Sequence, residues 1–158
     1  MLKLNKKVEY GLIALLYMDS LRNRDLASKN EIAETFRMPS ELLGKVLQSL
    51  SKFNLVESAQ GVKGGYRLKK DLDQITLGHV IMAIEGPTPL AQCQDDPDAC
   101  DQFCHCNIRE PVIRIQHQLN RFINDIRLSA FRPVAETEGA LVGAMDFSGD
   151  DSHDGKTG

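Results

Sequence analysis

The sequence predicts a mainly α-helical fold with one small β-hairpin. Three observations support this prediction. Apolar residues recur at helical spacing in five segments, capping and helix-breaking residues separate these segments, and one stretch after the third has the pattern of two strands joined by a glycine-rich turn. The chain has 158 residues, of which 42% are hydrophobic and 26% are charged, as is usual for one globular domain.

The first two predicted helices lie within residues 5–36. Asn5 is placed to cap the first helix, which runs to about Met18 with its apolar residues at helical spacing. Ser28 and Glu31 form a capping-box pattern that opens a second helix through Phe36. We expect the Phe36 side chain to point inward, in register with the other apolar residues of this helix.

The third helix follows a break at residues 37–39, because the residue before a proline is excluded from helical geometry. We expect Ser40 to cap this helix and Phe53 to end it. Two short helices joined by a tight turn are the pattern of a helix-turn-helix. Opposite the apolar stripe of the third helix lie Glu41, Lys45, Gln48 and Lys52, which we expect to contact DNA together with Ser40 at the start of the helix. Lysine and glutamine at such positions suit base edges and phosphates in a major groove, and a solvated polar face is the alternative.

The hydrophobic pattern changes after the third helix. Residues 55–60 and 66–69 are predicted strands, and residues 61–65 are the turn between them. A hairpin directly after a helix-turn-helix is a wing. Lys63 at its tip and Arg67 on its return strand are placed to meet phosphates or a minor groove.

A fourth helix is predicted from about Thr76 to Glu85, and a segment with few core residues follows it. This segment contains all the cysteines of the chain within 14 residues, namely Cys93, Cys100, Cys104 and Cys106. In a reducing compartment such a cluster favours metal binding or redox chemistry over structural disulfides. Four thiolates suit an iron–sulfur cluster or a zinc ion. A thiol switch, or four unrelated buried side chains, are the alternatives.

A long fifth helix is expected to begin at a second capping box, formed by Asn107 and Glu110. Its apolar residues follow spacings of 4, 3, 4, 3 and 4 and are Ile108, Val112, Ile115, Leu119, Phe122 and Ile126. This heptad-like stripe predicts pairing with the same helix of a second copy, which supplies the two-fold symmetry that a palindromic operator requires. Packing against its own domain is the alternative.

The charge is unevenly distributed along the chain. The net charge of −3 argues against a nucleic-acid partner, but residues 1–70 hold 13 Lys and Arg against 7 Asp and Glu, whereas residues 71–158 hold 6 against 15. DNA contact is therefore expected only in the basic part.

The longest apolar run, residues 11–18, is far shorter than the roughly 20 residues that span a bilayer. We expect a cytoplasmic protein with no membrane partner. We find no nucleophile–base pair or phosphate loop, so we do not expect an enzyme.

The chain is accordingly divided into four parts. Residues 1–86 form a winged helix-turn-helix that binds DNA, and residues 87–106 form a cysteine-rich loop that binds a cluster. Residues 107–132 form the C-terminal dimerisation helix. Residues 133–158, with five glycines and six acidic residues, are expected to be a disordered acidic tail.

Together these residues resemble the bacterial winged-helix regulators that sense iron–sulfur status or nitric oxide. That family includes the iron–sulfur cluster regulator, the nitric-oxide-sensitive repressor and the rhizobial iron regulator. The matching stretches are LNKKVEY at 4–10, NEIA at 30–33, LV at 55–56, GVKGGYRL at 61–68, TLGHVI at 76–81 and the cysteine loop. The resemblance implies a homodimeric regulator, a repressor in our interpretation, which binds double-stranded DNA at a palindromic operator. It also implies one iron–sulfur cluster per protomer, a 4Fe–4S cluster being favoured over a 2Fe–2S cluster, that senses iron, redox state or nitric oxide.

The resemblance also assigns ligands. Three cysteines hold the cluster in this family, and Cys93, Cys100 and Cys106 fit its spacing best, with Cys104 as an alternative third ligand or a fourth. In the nitric-oxide-sensing branch an acidic residue of the partner subunit completes the cluster, and Glu9 matches its position. An exposed helix carboxylate is the alternative for Glu9.

Two departures from the family pattern concern the fourth ligand and the wing. Arg109 or Asn107 replaces the histidine that follows the last ligand cysteine in the iron–sulfur cluster regulator. Gln60 replaces a basic residue at the DNA-contacting wing position just before Gly61. The operator preference of that relative therefore does not transfer to this chain.

Overall fold

The computed structural model describes residues 4–21, 26–61, 64–94, 96, 98 and 100–133. Within these ranges it is mainly helical with one two-stranded antiparallel hairpin, as predicted. The elements are α1 (Lys6–Ser20), α2 (Lys29–Thr35), α3 (Ser40–Lys52), β1 (Val56–Ala59), β2 (Gly65–Leu68), α4 (Leu77–Glu85) and α5 (Arg109–Asp125). Nearly all of the predicted tail, residues 134–158, lies outside the described residues.

The first two helices begin where their caps were predicted. The Asn5 side chain accepts a hydrogen bond from the backbone N–H of Lys7 at 3.1 Å, and Ser28 and Glu31 form the reciprocal capping box. The predicted inward position of Phe36 is wrong. Phe36 ends α2 with 40% of its surface exposed and packs edge-to-face on Tyr17, with ring centroids 5.5 Å apart.

The turn between α2 and α3 does not use the predicted serine cap. Arg37 adopts a positive φ of 51°, and this reverses the chain. Pro39, whose ring holds φ near its observed −62°, is the N-cap residue of α3. Ser40 is already helical, and its hydroxyl donates a 3.3 Å hydrogen bond to Asn30 Oδ1 of α2. The serine therefore joins the two helices instead of capping one of them.

The core lies between α1, α3 and α4. The side of α3 that faces it buries Leu43, Val46, Leu47 and Leu50 against α1 and α4. Burial of this apolar stripe is what stabilises α3 and leaves its opposite face to solvent.

The hairpin is fastened to this core at Ala27. Ala27 exchanges two backbone hydrogen bonds with Tyr66, of 2.9 and 2.8 Å, and so adds a short third partner to the sheet. Gly65 is required beside it, because a Cβ atom there would lie 2.7 Å from the Ala27 carbonyl oxygen. The first strand, at 56–59, is shorter than predicted, and the second, at 65–68, begins and ends one residue earlier; Val56 pairs with Leu68.

The caps of the last two helices differ from each other. Thr76 caps α4 in a capping box whose second member is His79: His79 Nδ1 accepts from the Thr76 N–H at 3.1 Å. The predicted capping box of Asn107 and Glu110 is wrong, because α5 begins only at Arg109. The residue before it, Ile108, has a near-helical backbone and provides no side-chain cap, whereas a capping side chain requires extended geometry at that position.

After α5 the chain returns to the core, and this return segment is residues 126–132. Ile126 accepts a hydrogen bond from the Leu77 N–H at 2.9 Å, and Leu128 is fully buried. Arg132 donates two hydrogen bonds to the Asp19 carboxylate of α1, of 2.8 and 3.0 Å, and this carboxylate raises the pKa of Arg132. The end of α5 is therefore attached to both α1 and α4.

Within the described ranges, none of the helices combines the length and hydropathy that a bilayer crossing needs. The longest of them, α5, has 17 residues and none of them is buried. Its exposed face is described below.

Candidate functional site

The outward face of α3 is polar and accessible. Glu41, Lys45, Gln48 and Lys52, predicted to lie opposite the apolar stripe, are all exposed. Ser40 is half-buried at the start of the same helix, where it bonds Asn30. This arrangement presents two ammonium groups, an amide and a carboxylate in one row on a helix whose other side is fixed in the core. A major groove admits an α-helix, and side chains of these types can meet base edges and phosphates there.

The wing beside α3 has fewer uncommitted charges than the sequence indicates. Gln60 is exposed just after β1, and Lys63 lies outside the described residues. Arg67 is exposed, but it forms an ion pair with Glu57, which lies directly opposite in the strand register. Sequence reasoning missed Glu57 because its pairing depends on this register. The ammonium of Lys69 donates a 2.8 Å hydrogen bond to Asn54 Oδ1 and ties the base of the wing to the end of α3.

The four cysteines are free thiols in the segment between α4 and α5. Cys93 lies in a short 3-10 turn and is half-buried, as are Cys100 and Cys106, whereas Cys104 is exposed. Among the described residues, no three side chains of the metal-binding types lie close enough to hold one ion. The predicted ligands are therefore near one another in sequence but are not gathered at one point. Four thiols are nevertheless the donor set that an iron–sulfur cluster uses.

A cavity of about 550 Å³ separates this segment from the beginning of α5. Its lining includes Cys93, Phe103, Arg109 and His117. The guanidinium of Arg109 lies over the Phe103 ring, 4.7 Å from its centroid. Sequence reasoning missed His117, although its helical spacing of eight residues from Arg109 places both on one side of α5. A cationic side chain and an imidazole thus share a cavity with a thiol, which suits a negatively charged group.

Glu9 lies on α1 and is partly exposed. Its carboxylate accepts a 2.6 Å hydrogen bond from the ammonium of Lys6, and this bond and the negative charge raise the pKa of Lys6. Exposed ion pairs of this kind contribute little to stability, so the carboxylate can exchange its partner at small cost.

Helix α5 and the residue before it, Ile108, expose large apolar side chains in a row. Ile108, Ile115 and Phe122 are spaced by seven residues and are 59%, 54% and 63% exposed. Val112 and Leu119, on the same stripe, are half-buried. The last residue of the predicted stripe, Ile126, lies beyond the helix and packs on the core of its own chain. A row of exposed large apolar side chains marks an interaction surface, and in this chain it ends at Phe122.

Comparison with known proteins identifies a family model that the sequence matches and solved structures that share the fold. Residues 4–131 match the family model described as Rrf2, iron-dependent transcriptional regulator. CymR of B. subtilis, described as a global cysteine regulator, is 29% identical, with 83% of this chain and 96% of that chain covered and a TM-score of 0.64.

Two further solved structures share the fold. IscR of T. potens is 22% identical over 82% of this chain and 85% of that chain, with a TM-score of 0.62. The oxidised form of S. aureus CymR is 22% identical over 86% of this chain and the whole of that chain, also with a TM-score of 0.62. These likenesses confirm the predicted architecture, in which a hairpin follows the helix-turn-helix and a long helix follows both.

Proposed function

Because this chain belongs to the Rrf2 family of DNA-binding transcriptional regulators, we propose that it is a homodimeric repressor whose affinity for operator DNA is controlled by an iron–sulfur cluster. In this proposal residues 1–86 bind a palindromic operator, residues 87–106 hold the cluster and residues 107–132 form the dimer. The observation that carries the proposal is the family match over 4–131, which includes a segment with four free thiols.

The proposed ligands are those assigned by the resemblance. Cys93, Cys100 and Cys106 hold the cluster, Cys104 is an alternative or fourth ligand, and Glu9 of the partner subunit is a further candidate. When bound, an iron–sulfur cluster supplies a centre that responds to electrons, oxygen or nitric oxide. Arg109, in the same cavity as Cys93, would balance the negative charge of the thiolates. Because the thiols do not converge among the described residues, we expect cluster binding to bring them together.

Anaerobic purification tests the cofactor. We expect coloured protein that contains iron and acid-labile sulfide and whose visible absorption changes on exposure to oxygen or nitric oxide. Absorption spectra and metal analysis of the full chain provide the measurement. Colourless protein with one zinc ion per chain would contradict the proposal.

The return segment supports coupling between the cluster and the DNA-binding face. Ile126 and Leu128 bond to residues on either side of the N-terminus of α4, and Arg132 bonds to α1. A change in the position of α5 would therefore be transmitted to the domain that carries α3. A coupling free energy of about 1–3 kcal/mol, or roughly 5- to 150-fold in affinity, would suffice for regulation.

Lys45 is the residue of α3 that we expect to read a base. Lys45→Ala should weaken operator binding by about 1–3 kcal/mol and relax the preference at one base pair, since it removes an ammonium from the centre of the exposed row. Fluorescence anisotropy with the operator and with single-base variants measures both effects. Lys7→Ala, which removes the same charge from an exposed position of α1, is the matched control. A loss that is equal for all sequences would show that Lys45 contacts a phosphate.

A thiol switch without bound metal is the second candidate. It is favoured by the free state of all four cysteines and by the exposure of Cys104. In that case mild oxidation would change DNA affinity in metal-free protein, and alkylation followed by mass spectrometry would identify the oxidised pair. A structural zinc in the same segment would keep DNA binding and show no response to oxidation.

A further inference from the structure

The aliphatic stem of Lys29 packs on α3 at Gly44. Lys29 is the first residue of α2 and is half-buried. A Cβ atom on Gly44, in the middle of α3, would lie 3.3 Å from Lys29 Cδ. The glycine therefore leaves a gap in the surface of α3, and the lysine stem fills it. Lysine commonly buries its stem in this way while its charged end stays in water. The ammonium is two bonds beyond Cδ and so lies close to this part of α3.

The position of Gly44 places this ammonium at the edge of the exposed row of α3. Gly44 comes three residues after Glu41 and four residues before Gln48. Residues three and four apart are neighbours on the surface of a helix. The stem of Lys29 thus meets α3 beside side chains that we expect to enter the major groove. A residue of α2 thereby adds a cation to a face that helical periodicity assigns to α3 alone.

Hydrogen bonds on both sides of Lys29 fix the point from which its side chain starts. The hydroxyl of Ser28 accepts the Glu31 N–H at 3.1 Å in the capping box of α2. Asn30 Oδ1 accepts from the Ser40 hydroxyl at 3.3 Å, which joins α2 to the beginning of α3. The backbone of Lys29 is therefore held against α3 before DNA is bound. Only the end of the side chain is left to be ordered on binding, which keeps the entropic cost of a contact small.

The charge of Lys29 is uncommitted within the described part of the chain. Its ammonium takes part in none of the ion pairs found there. The carboxylate of Glu31, on the same helix, accepts a hydrogen bond from the Tyr17 hydroxyl. Arg67 of the wing, in contrast, is paired with Glu57. Phosphate binding by Lys29 would thus release counterions without first breaking an internal ion pair.

The arrangement of the two helices indicates which part of the DNA this cation meets. In a helix-turn-helix the second helix lies in the major groove, and the first helix crosses the sugar–phosphate backbone. Here α2 is the first helix and α3 is the second. A lysine that begins on α2 and ends beside α3 is placed where the backbone borders the groove. Lysine binds phosphate as a point charge on a flexible stem, which suits this position.

We propose that Lys29 binds a phosphate of the DNA backbone at the edge of the major groove that α3 enters. The contact positions α3 on the duplex and carries no sequence information, unlike the base contact expected of Lys45. This inference rests on DNA binding in the proposed function and is independent of the cluster.

The salt dependence of binding tests this contact. The probe is a fluorescent duplex of mixed sequence, because phosphate contacts need no operator, with about three helical turns to hold both half-sites of a dimer. Lys29→Met keeps an apolar stem on Gly44 and removes the ammonium. In anisotropy titrations we expect it to reduce the magnitude of the slope of log K against log salt by about 0.9 per protomer, or about 1.8 for a dimer. At about 0.1 M salt this corresponds to a loss of up to about eightfold in affinity per protomer.

Two further variants separate the charge of Lys29 from its packing. Lys29→Arg keeps the charge and should retain the parent slope. Arg121→Met removes the same charge from an exposed position of α5, in the acidic part of the chain, and should also retain it. Circular dichroism verifies that all three variants fold.

Three results would refute the contact. An unchanged slope in Lys29→Met would do so while leaving DNA binding by the parent protein intact. An equal fall in Lys29→Arg would show that packing on Gly44, and not charge, causes the loss. A parent protein whose affinity for the duplex does not depend on salt would refute both this contact and the DNA binding on which it rests.

Discussion

Alanine at Cys93, Cys100 or Cys106 is expected to abolish cluster retention, with a fall of at least about tenfold in iron and acid-labile sulfide per chain. Each of these substitutions removes a proposed thiolate ligand, and even changes that only disturb ligand orientation weaken metal sites by about 10- to 100-fold. The Cys104→Ala variant should lose less. Metal analysis and visible spectra of the anaerobically purified variants measure the effect.

The four cysteine-to-alanine variants can be compared with one another, and their helical content verifies that they fold. None of the four cysteines belongs to the buried core, so the variants should fold and keep their helical content. Cys104, the most exposed of them, is the comparison within this segment, because its thiol is only the alternative or fourth ligand and its loss should reduce cluster retention less. Equal loss at all four positions would contradict our choice of ligands. Full retention in all of them would exclude the segment as the cluster site.

Phe122→Glu is expected to convert the protein to a monomer and to weaken operator binding by about 100-fold or more. Phe122 is the most exposed large apolar side chain of the α5 stripe, and two-fold pairing would bury the new carboxylate of each protomer in an apolar interface. Burying unpaired charges costs several kcal/mol, which exceeds what the remaining apolar contacts can offset. Sedimentation velocity and anisotropy with a palindromic operator measure the two effects.

Arg121→Glu is a strict control for this prediction. Arg121 is the neighbouring residue, exposed and outside the stripe, and its reversal lowers the net charge by more than Phe122→Glu does. If a more negative charge alone weakened DNA binding, Arg121→Glu would show the larger loss. A dimeric Phe122→Glu protein would instead contradict the role of the stripe. A monomer that binds the operator as tightly as the parent would contradict the need for two-fold symmetry.

Local features were predicted well where the relevant contacts span only a few residues. The caps at Asn5 and Ser28 are confirmed because a capping bond joins groups two or three positions apart. The predicted caps at Ser40 and Asn107 failed for a physical reason: a side chain suited to capping can also bond elsewhere, and the backbone around it decides. Pro39 takes the cap position of α3, and Ile108 begins α5 without a side-chain cap.

The sequence alone determined the order of the elements, the apolar and polar faces of α3, the exposed stripe of α5 and the clustering of the thiols. These follow from periodicity and spacing, which are properties of neighbouring residues. Only the tertiary structure decided that Glu57 neutralises Arg67, that the return segment ties α5 to α1 and α4, and that Gln116 of α5 accepts a hydrogen bond from the Leu90 N–H. Each of these depends on residues from different elements meeting at hydrogen-bond distance, and such meetings are set by packing geometry that no local pattern encodes.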